Sequence, residues 1–557
     1  MSYRAPVDEM RFTLEEVAAV EGLKATGAFP DFSSDLTGAI LDEAAKLAEG
    51  VLAPLNKVGD AEHCQLANDK VTTPTGFKDA YAQFVEGGWQ GLQFEAEHGG
   101  MGLPRALGVA VLEMIQGANL AFGLGPMLTY GAIEALIAHG TDEQKAMYLP
   151  KLITGEWSGT MNLTEPSAGS DVGALRTKAE PNPDGSWAVS GQKIYITWGD
   201  HDCAENIIHL VLARTPGSPE GTKGISLFIV PKILPDGSAN SLKPIGLEHK
   251  LGIHGSPTCT MEYAGATGWL IGEENAGMRC MFTMMNSARL NVGVQGVGIA
   301  ERAYQQAVAY AADRKQGKAI DAEGPAPHAI IHHPDIKRTL SLMKAKIAAS
   351  RAVCISCAVS ADLAHFSDDA EEKAAAADVA DIGMLAEGVV QLCLQPCALV
   401  AHLRQQAAPE DRVDHRARGG GGDGMAHIGV AVLEEARPRG DGIVNLRGTE
   451  HRAYGLVARA KALGDRDDIG RNTFLLAGEQ GAGAAHAAHH LVEDQQDIVL
   501  VADLADALEV TGGGDERAGS GADDGLGHEG HHGFGADAEE FVFERLGGAL
   551  AVILEAL

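Results

Sequence analysis

The most informative stretch of the sequence is Met161-Asn-Leu-Thr-Glu-Pro-Ser-Ala-Gly-Ser-Asp171. Taken by itself, it predicts a strand that ends at Glu165-Pro166, because proline has no N–H to donate to a neighbouring strand. The run Ser167-Ala-Gly-Ser170 then predicts a tight bend that presents several backbone N–H groups, a geometry that can hold an anion. An ordinary β-turn is the competing interpretation of the same four residues.

Further strands follow this stretch. Residues 187–197 alternate between apolar and polar side chains, which is typical of a half-buried strand. Residues 206–214 and 224–231 are short apolar runs bounded by turn residues. Asn182-Pro-Asp-Gly185 predicts a turn between two of the strands. Together these features predict a middle β domain over residues 158–270.

Helical periodicity lies on both sides of the β domain. Residues 35–157 predict an N-terminal helical domain, preceded by a short mixed segment at residues 1–34. Residues 277–377 predict a C-terminal helical-bundle domain, with long helical patterns from Ser287 to Lys315 and from Pro334 to Phe366. Helices, then strands, then helices indicate an α+β fold in separate domains rather than alternating βαβ units.

The composition changes after about Ala377. Residues 378–557 contain glycine runs and a stretch from Gly512 to Glu540 crowded with Gly, Ala, Asp and His, which predicts an irregular or disordered tail. This tail is either a divergent replacement domain or a wrong-frame translation of a GC-rich gene. We favour the second explanation because core-forming periodicity is lost. The histidine clusters at 486–490 and 528–532 are interpreted as incidental to this composition.

Charge and cysteine usage exclude several classes of function. The formal net charge of −32 repels phosphate backbones and argues against a nucleic-acid partner. Acidic residues interrupt the N-terminus and no apolar run of about 18 residues is present, so we expect no signal peptide, no membrane insertion and a cytoplasmic location. Cys354-x-x-Cys357 has no second cysteine pair at metal-ligand spacing, so no metal site is predicted.

The stretch around Thr164 resembles the flavin-binding strand of acyl-CoA dehydrogenases, T-E-P-x-A-G-S-D. Four further segments match the family in order, over about residues 1–377, and the N-terminus is similar to that of a long bacterial branch of the family. The segments are Gln192-Lys-Ile-Tyr-Ile-Thr197, Leu247-Glu-His-Lys-Leu-Gly-Ile-His-Gly-Ser-Pro-Thr258, Ser287-Ala-Arg-Leu-Asn-Val-Gly-Val-Gln-Gly296 and Tyr310-Ala-Ala-Asp-Arg-Lys-Gln-Gly317.

The resemblance implies an FAD-dependent oxidoreductase of fatty acid metabolism. Its substrate would be an acyl-CoA thioester, dehydrogenated between Cα and Cβ. The electrons would pass from FAD to an electron-transfer flavoprotein. An acyl-CoA oxidase, which returns electrons to oxygen, is the close variant. A homodimer or homotetramer is also implied.

The resemblance assigns five residues to the flavin ring. Met161, Leu163 and Thr164 would line its pyrimidine side, where hydrogen-bond donors stabilise charge on the reduced ring. Tyr195 would pack on the isoalloxazine, and Thr197 would bond near N5, the hydride acceptor. Without the resemblance, Tyr195 and Thr197 are equally explained as alternating strand side chains.

Four more residues are assigned by the resemblance to the phosphates and to the substrate. Ser170 would lie between the FAD pyrophosphate and CoA, and Asn286 and Arg289 would lie beside the acyl-CoA. Arg314 would reach the FAD pyrophosphate of a neighbouring subunit, although a cation at a helix C-terminus is favourable in any case. The Gly293-x-x-Gly296-x-Gly298 run falls inside a helical pattern, so it predicts close helix packing rather than dinucleotide binding.

The catalytic base is not found. The family mechanism needs a desolvated glutamate to remove the α-proton. Most members carry it in a late Y-E-G-T loop, which is not present here, and a few carry it just before the position of Arg289, where this chain has Ala288. Glu450, in Arg447-Gly-Thr-Glu450, resembles the loop only superficially, because nothing around it matches the family. The alternative function is therefore a catalytically inactive FAD- and CoA-binding homologue.

Overall fold

The structure is a computed structural model, and it describes residues 3–320 and 323–384. Helices come first, strands follow, and helices return. The helices of the first part are α1 (Val7–Phe12), α2 (Ser34–Leu47), α3 (Ala53–Glu62), α4 (Phe77–Glu86), α5 (Arg105–Ala118), α6 (Leu120–His139) and α7 (Asp142–Thr154). The helices of the last part are α8 (Gly277–Asp313), α9 (Pro334–Phe366) and α10 (Ala370–Met384).

Local capping explains where several helices begin. The Ser33 hydroxyl accepts the Leu36 N–H at the start of α2, and the Asn119 side chain accepts the Phe122 N–H at the start of α6. Thr141 and Gln144 form a capping box at α7. These side chains bond N–H groups that have no partner within the helix.

A seven-stranded sheet lies between the two helical parts. Its strands are β3 (Trp157–Asn162), β4 (Lys178–Pro181), β5 (Trp187–Thr197), β6 (Asn206–Arg214), β7 (Ile225–Pro231), β8 (Leu242–Leu247) and β9 (Thr258–Ile271). Their order is β3-β6-β4-β5-β9-β7, with β8 on β9, and a further pairing of β6 with β7 closes the sheet on itself. Apolar side chains such as Val189, Phe228 and Met261 fill the interior.

The helical core is packed tightly enough to require glycine. A Cβ built on Gly298 of α8 would lie 2.9 Å from the Glu113 carbonyl oxygen and 2.9 Å from the Gly117 nitrogen of α5. The predicted role of this glycine run in helix packing is confirmed at Gly298. Within residues 3–320 and 323–384, two helices, α6 and α9, are long and apolar enough to cross a membrane. However, 78% and 67% of their apolar stretches are buried inside the protein, as in core helices.

A buried charge cluster joins four helices. The Arg351 guanidinium of α9 contacts carboxylates of Glu113 (2.6 Å), Glu301 (3.2 Å) and Glu9 (3.3 Å), which lie on α5, α8 and α1. The desolvation cost of Arg351 is offset by these carboxylates. The N-terminal segment is therefore part of the core, and Tyr3, Met10 and Leu14 within it are buried.

The structure refines the predicted elements in two places. A small hairpin of β1 (Gln65–Ala67) and β2 (Lys70–Thr72) lies inside the region predicted to be helical, because strands of three residues are too short to give a period of two. The helical pattern predicted from Ser287 extends back to Gly277. The tail from residue 385, with Glu450 and both histidine clusters, lies outside the described residues.

Candidate functional site

The predicted flavin-contacting residues meet where β3 ends and β5 ends. The Ile194 N–H donates to the Thr164 carbonyl at 2.9 Å, and the Thr160 hydroxyl donates to the Thr197 carbonyl at 2.7 Å. The two segments are therefore adjacent although β3 and β5 are not hydrogen-bonded neighbours within the sheet. Met161, Leu163, Thr164 and Thr197 are all half-buried there.

A β-bulge turns Tyr195 outward. Lys193 pairs with Met261 and Ile196 with Cys259, so β5 takes three steps where β9 takes two. One extra residue reverses the face that later side chains occupy. Lys193 and Ile196 are buried, whereas Tyr195 is 59% exposed and has a φ of +59°. Simple alternation, the competing interpretation of this strand, does not describe it.

The bend after β3 is closed by hydrogen bonds between Glu165 and Ala168, and the residues that follow are exposed. Glu165 and Ala168 exchange two backbone hydrogen bonds of 3.0 Å, which places Pro166 and Ser167 at the turn. Ser170 is exposed, and a Cβ on Gly169 would meet nothing within 4 Å. The bend is accessible to a ligand, and its predicted contact with phosphates stays a prediction.

Trp198 fixes the end of β5 against α6. Its indole N–H donates to the Ala121 carbonyl at 3.1 Å, and its φ is +52°. A Cβ on Gly125 of α6 would lie 2.6 Å from the Trp198 ring, so only glycine leaves room for the indole. This contact positions the end of the site strand relative to the helical domain.

Two of the three predicted substrate residues, Asn286 and Arg289, lie on one face of α8, whereas the third, Ser170, lies in the bend after β3. Phe282, Asn286 and Arg289 are spaced by four and three residues, which places them on neighbouring turns of one helix face. The Arg289 guanidinium carbon lies 5.9 Å from the centre of the Phe282 ring, a cation–π distance. Asn286 and Arg289 are half-buried, and Phe282 is partly exposed.

Arg314 lies far along α8 from the predicted substrate residues Asn286 and Arg289. It follows the last residue of α8, and its guanidinium lies 3.5 Å from the Gln316 side chain. Arg314 is twenty-five residues beyond Arg289, which corresponds to about 37 Å along a helix. Arg289 and Arg314 of one chain therefore lie at widely separated positions along α8.

Among the described residues, every buried carboxylate has a cationic neighbour. The pairs are Glu113 and Glu301 with Arg351, Glu165 with Lys193, Asp200 with Lys232, and Asp362 with Arg105. Ala288 is half-buried on α8 and offers no acid. The described part of the chain thus holds no buried, unpaired carboxylate that could serve as a base.

The Lys193–Glu165 pair was not anticipated from the sequence. Its ammonium and carboxylate lie 2.8 Å apart, and both side chains are almost completely buried. A lysine at the inward phase of an alternating strand is the one signal that could have revealed it, because such a lysine needs a buried acid.

Comparison with known proteins identifies the class. Sequence profiles of the acyl-CoA dehydrogenase N-terminal, middle and C-terminal domains match residues 35–156, 160–266 and 275–395. The order of these three domains is the order of the helical, β and helical parts of the fold. The chain belongs to the acyl-CoA dehydrogenase family.

Individual relatives agree with this assignment. The chain is 48% identical to a 3-methylmercaptopropionyl-CoA dehydrogenase of Ruegeria pomeroyi over 73% of this chain and 69% of that protein. It is 37% identical to a butyryl-CoA dehydrogenase of Syntrophomonas wolfei over 67% of this chain and 64% of that protein. The chain therefore matches about two thirds of the length of these relatives.

A solved structure gives the same result. An acyl-CoA dehydrogenase from Bacillus anthracis, complexed with FAD, superimposes with a TM-score of 0.54 at 25% identity over 67% of this chain and 62% of that one. The predicted family, α+β fold class, FAD-dependent oxidoreductase class and FAD cofactor are confirmed at the level of the family. The individual site residues stay predictions.

Proposed function

We propose that this chain binds FAD on the face formed by the ends of β3 and β5 and dehydrogenates an acyl-CoA between Cα and Cβ. The observation that carries the proposal is Tyr195, an exposed aromatic held in a left-handed bulge beside Thr164 and Thr197. Such strain costs about 1–3 kcal/mol, must be held in place by the surrounding structure, and is found most often at functional sites.

The residues on this face fit a flavin. Met161, Leu163 and Tyr195 offer apolar surface for a flat ring, and Thr164 and Thr197 offer hydroxyls for its polar edge. When bound, FAD supplies the acceptor for the β-hydride. The task of the two threonines is to donate hydrogen bonds where negative charge develops, and Tyr195 shields the ring from water.

The substrate would lie between the bend after β3 and the exposed face of α8. Ser170 offers a hydroxyl at the bend. Asn286 offers an amide, and Arg289, steadied by Phe282, offers a fork of N–H donors to the anionic CoA moiety. These groups bind and orient the thioester, which is the part of the reaction that the described residues can perform.

Proton removal from Cα needs a carboxylate that the described residues do not supply. Ala288 replaces it on α8, and the buried carboxylates of the described part are ion-paired. This observation favours a second candidate function, an inactive homologue that binds FAD and CoA without turnover. An active chain requires a base from outside the described residues.

The assembly is proposed to be at least a homodimer. Arg289 and Arg314 lie about 37 Å apart along α8, so one chain does not bring both to the same pair of ligands. Arg314 has a buried Nε without a hydrogen-bond partner among the described residues, as expected for a group completed by a second chain. A cytoplasmic location and electron transfer to an electron-transfer flavoprotein complete the proposal.

The test is anaerobic addition of acyl-CoAs to the purified yellow protein. The panel begins with 3-methylmercaptopropionyl-CoA and butyryl-CoA, because two relatives are named for them. Bleaching of the flavin supports the dehydrogenase, and peroxide release in air indicates the oxidase variant. Retained FAD that no acyl-CoA bleaches supports the inactive binder, and a folded chain without FAD contradicts both.

A further inference from the structure

Lys193 and Glu165 form a buried clamp between the two segments of the candidate site. The Lys193 ammonium donates to the Glu165 carboxylate at 2.8 Å and to the Leu163 carbonyl at 3.1 Å. The same carboxylate accepts the N–H groups of Arg176 (2.6 Å) and Thr177 (3.0 Å). The entry to the bend is thereby fixed to β5, and Glu165 is bonded in turn to the segment that leads into β4.

The clamp acts on both sides of Thr164. Leu163 and Glu165 are its chain neighbours, and its own carbonyl accepts the N–H of Ile194, the residue after Lys193. Three consecutive residues of the β3 exit are therefore bonded to two consecutive residues of β5. The position of Thr164 relative to β5 depends on these contacts.

The clamp also lies at the start of the bulge. Lys193 is the last residue of β5 in register with β9 before the shift, and register resumes at Ile196. An inward ammonium bonded to the β3 exit holds the strand just before Tyr195 turns outward. Without this anchor, we expect the register of β5 against β9 to shift more easily. A shift by one residue would move Tyr195 to the opposite face of the strand.

We propose that Lys193, through Glu165, is a positioning residue that sets the geometry of Thr164 and Tyr195 for FAD. The inference rests on the proposed FAD site. A buried ion pair is a weak source of stability, since well-packed apolar residues often serve as well or better. What the ion pair provides is a fixed arrangement of five hydrogen-bonded backbone and side-chain groups.

Three variants separate positioning from stability. Lys193→Met leaves the Glu165 carboxylate buried without a cation, so it should lower both the melting temperature and FAD affinity. The double variant Lys193→Met/Glu165→Gln removes the stranded charge. Its single amide oxygen can still accept one of the Arg176 and Thr177 N–H groups, which bond different carboxylate oxygens in the natural chain. Lys232→Met is the matched control, because it removes the cation of another buried acid, Asp200, in the same β domain.

The double variant is the decisive measurement. Its melting temperature should return toward that of the natural chain, while FAD binding stays about ten- to a hundredfold weaker, as expected for a lost supporting contact. Lys232→Met should lower the melting temperature without changing FAD affinity. Recovery of FAD affinity together with stability, or an equal loss in Lys232→Met, would overturn the positioning role.

Amide hydrogen exchange of the FAD-free chain gives a readout that does not depend on the proposed function. Exchange should accelerate at residues 163–168 and 193–198 in Lys193→Met and not in Lys232→Met. Unchanged exchange there overturns the inference even if the natural chain binds FAD. A natural chain that binds no FAD overturns the proposed function, and the positioning of an FAD site falls with it.

Discussion

At the scale of single residues, the site is defined by backbone conformations that side chains rarely adopt. Tyr195 and Trp198 have φ values of +59° and +52°, three residues apart at the end of one strand. One projects to solvent and the other is buried against α6. The same backbone conformation therefore occurs at an exposed ring, which we propose contacts the flavin, and at a buried ring that anchors the strand end.

Substitution of Tyr195 should separate strain from binding. Tyr195→Gly and Tyr195→Val both remove the ring, so both should weaken FAD binding. Glycine tolerates a positive φ and valine does not, so the valine variant should be less stable than the glycine variant by about 1–2 kcal/mol. Urea unfolding and FAD titration measure the two effects, and a valine variant as stable as the glycine variant would argue against the bulge.

Two buried histidines predict acid sensitivity. Burial lowers the pKa of His201 and of His209 to about 3. Between that value and about 6.5 the unfolded chain binds a proton that the folded chain does not, so stability falls as pH falls through this window. Each histidine should remove about 1.4 kcal/mol between pH 7.5 and 5.5.

The variant His209→Gln isolates one of these contributions. Between pH 7.5 and 5.5, the free energy of unfolding of this variant should fall by about 1.4 kcal/mol less than that of the natural chain, which is the contribution of one histidine. The exposed His332, changed in the same way, is the control variant. Urea unfolding followed by tryptophan fluorescence at the two pH values provides the comparison, and an equal slope in His209→Gln would refute the assignment.

At the scale of elements, close packing of α8 on α5 sets the helical core. Gly298→Ala places a methyl group 2.9 Å from backbone atoms of Glu113 and Gly117, so overpacking should cost about 1–3 kcal/mol. Gly38→Ala is the matched control, because a Cβ at this position within α2 meets only the flexible end of the Arg11 side chain, at 3.4 Å. It should stabilise the chain by up to about 1 kcal/mol through helix propensity. Thermal unfolding should therefore shift in opposite directions, and shifts of the same sign would contradict the packing.

The elements show what the sequence could and could not predict. Residues 187–197 alternate clearly, so the strand was predictable, but its bulge was not, because a bulge is defined by the register of the partner β9. Pro334–Phe366 was predicted with the bounds that the structure has. The sequence alone does not pair Lys193 with Glu165, because the two residues are 28 positions apart.

At the scale of the whole molecule, three family profiles match successive ranges between residues 35 and 395. The composition changes near the end of the third range. The described residues contain the predicted flavin and substrate contacts but no free buried carboxylate. The predicted binding residues therefore lie before the change of composition, and no candidate base is found before it.

The wrong-frame explanation of the tail makes a prediction about the gene. Sequencing the gene again around codons 377–395 should reveal a frame in which helical periodicity continues and a carboxylate-bearing loop appears. The corrected chain should bleach with an acyl-CoA if its flavin face is as proposed. Confirmation of the present frame, with no such loop in either alternative, would support a divergent domain instead.

The most direct test of the central claim is FAD titration of the purified, flavin-free chain by calorimetry. The proposed face at Thr164, Tyr195 and Thr197 predicts one FAD per chain, with affinity reduced by Tyr195→Gly in a variant that still folds. A folded chain that binds no FAD, or binds it equally well without the Tyr195 ring, would contradict the account.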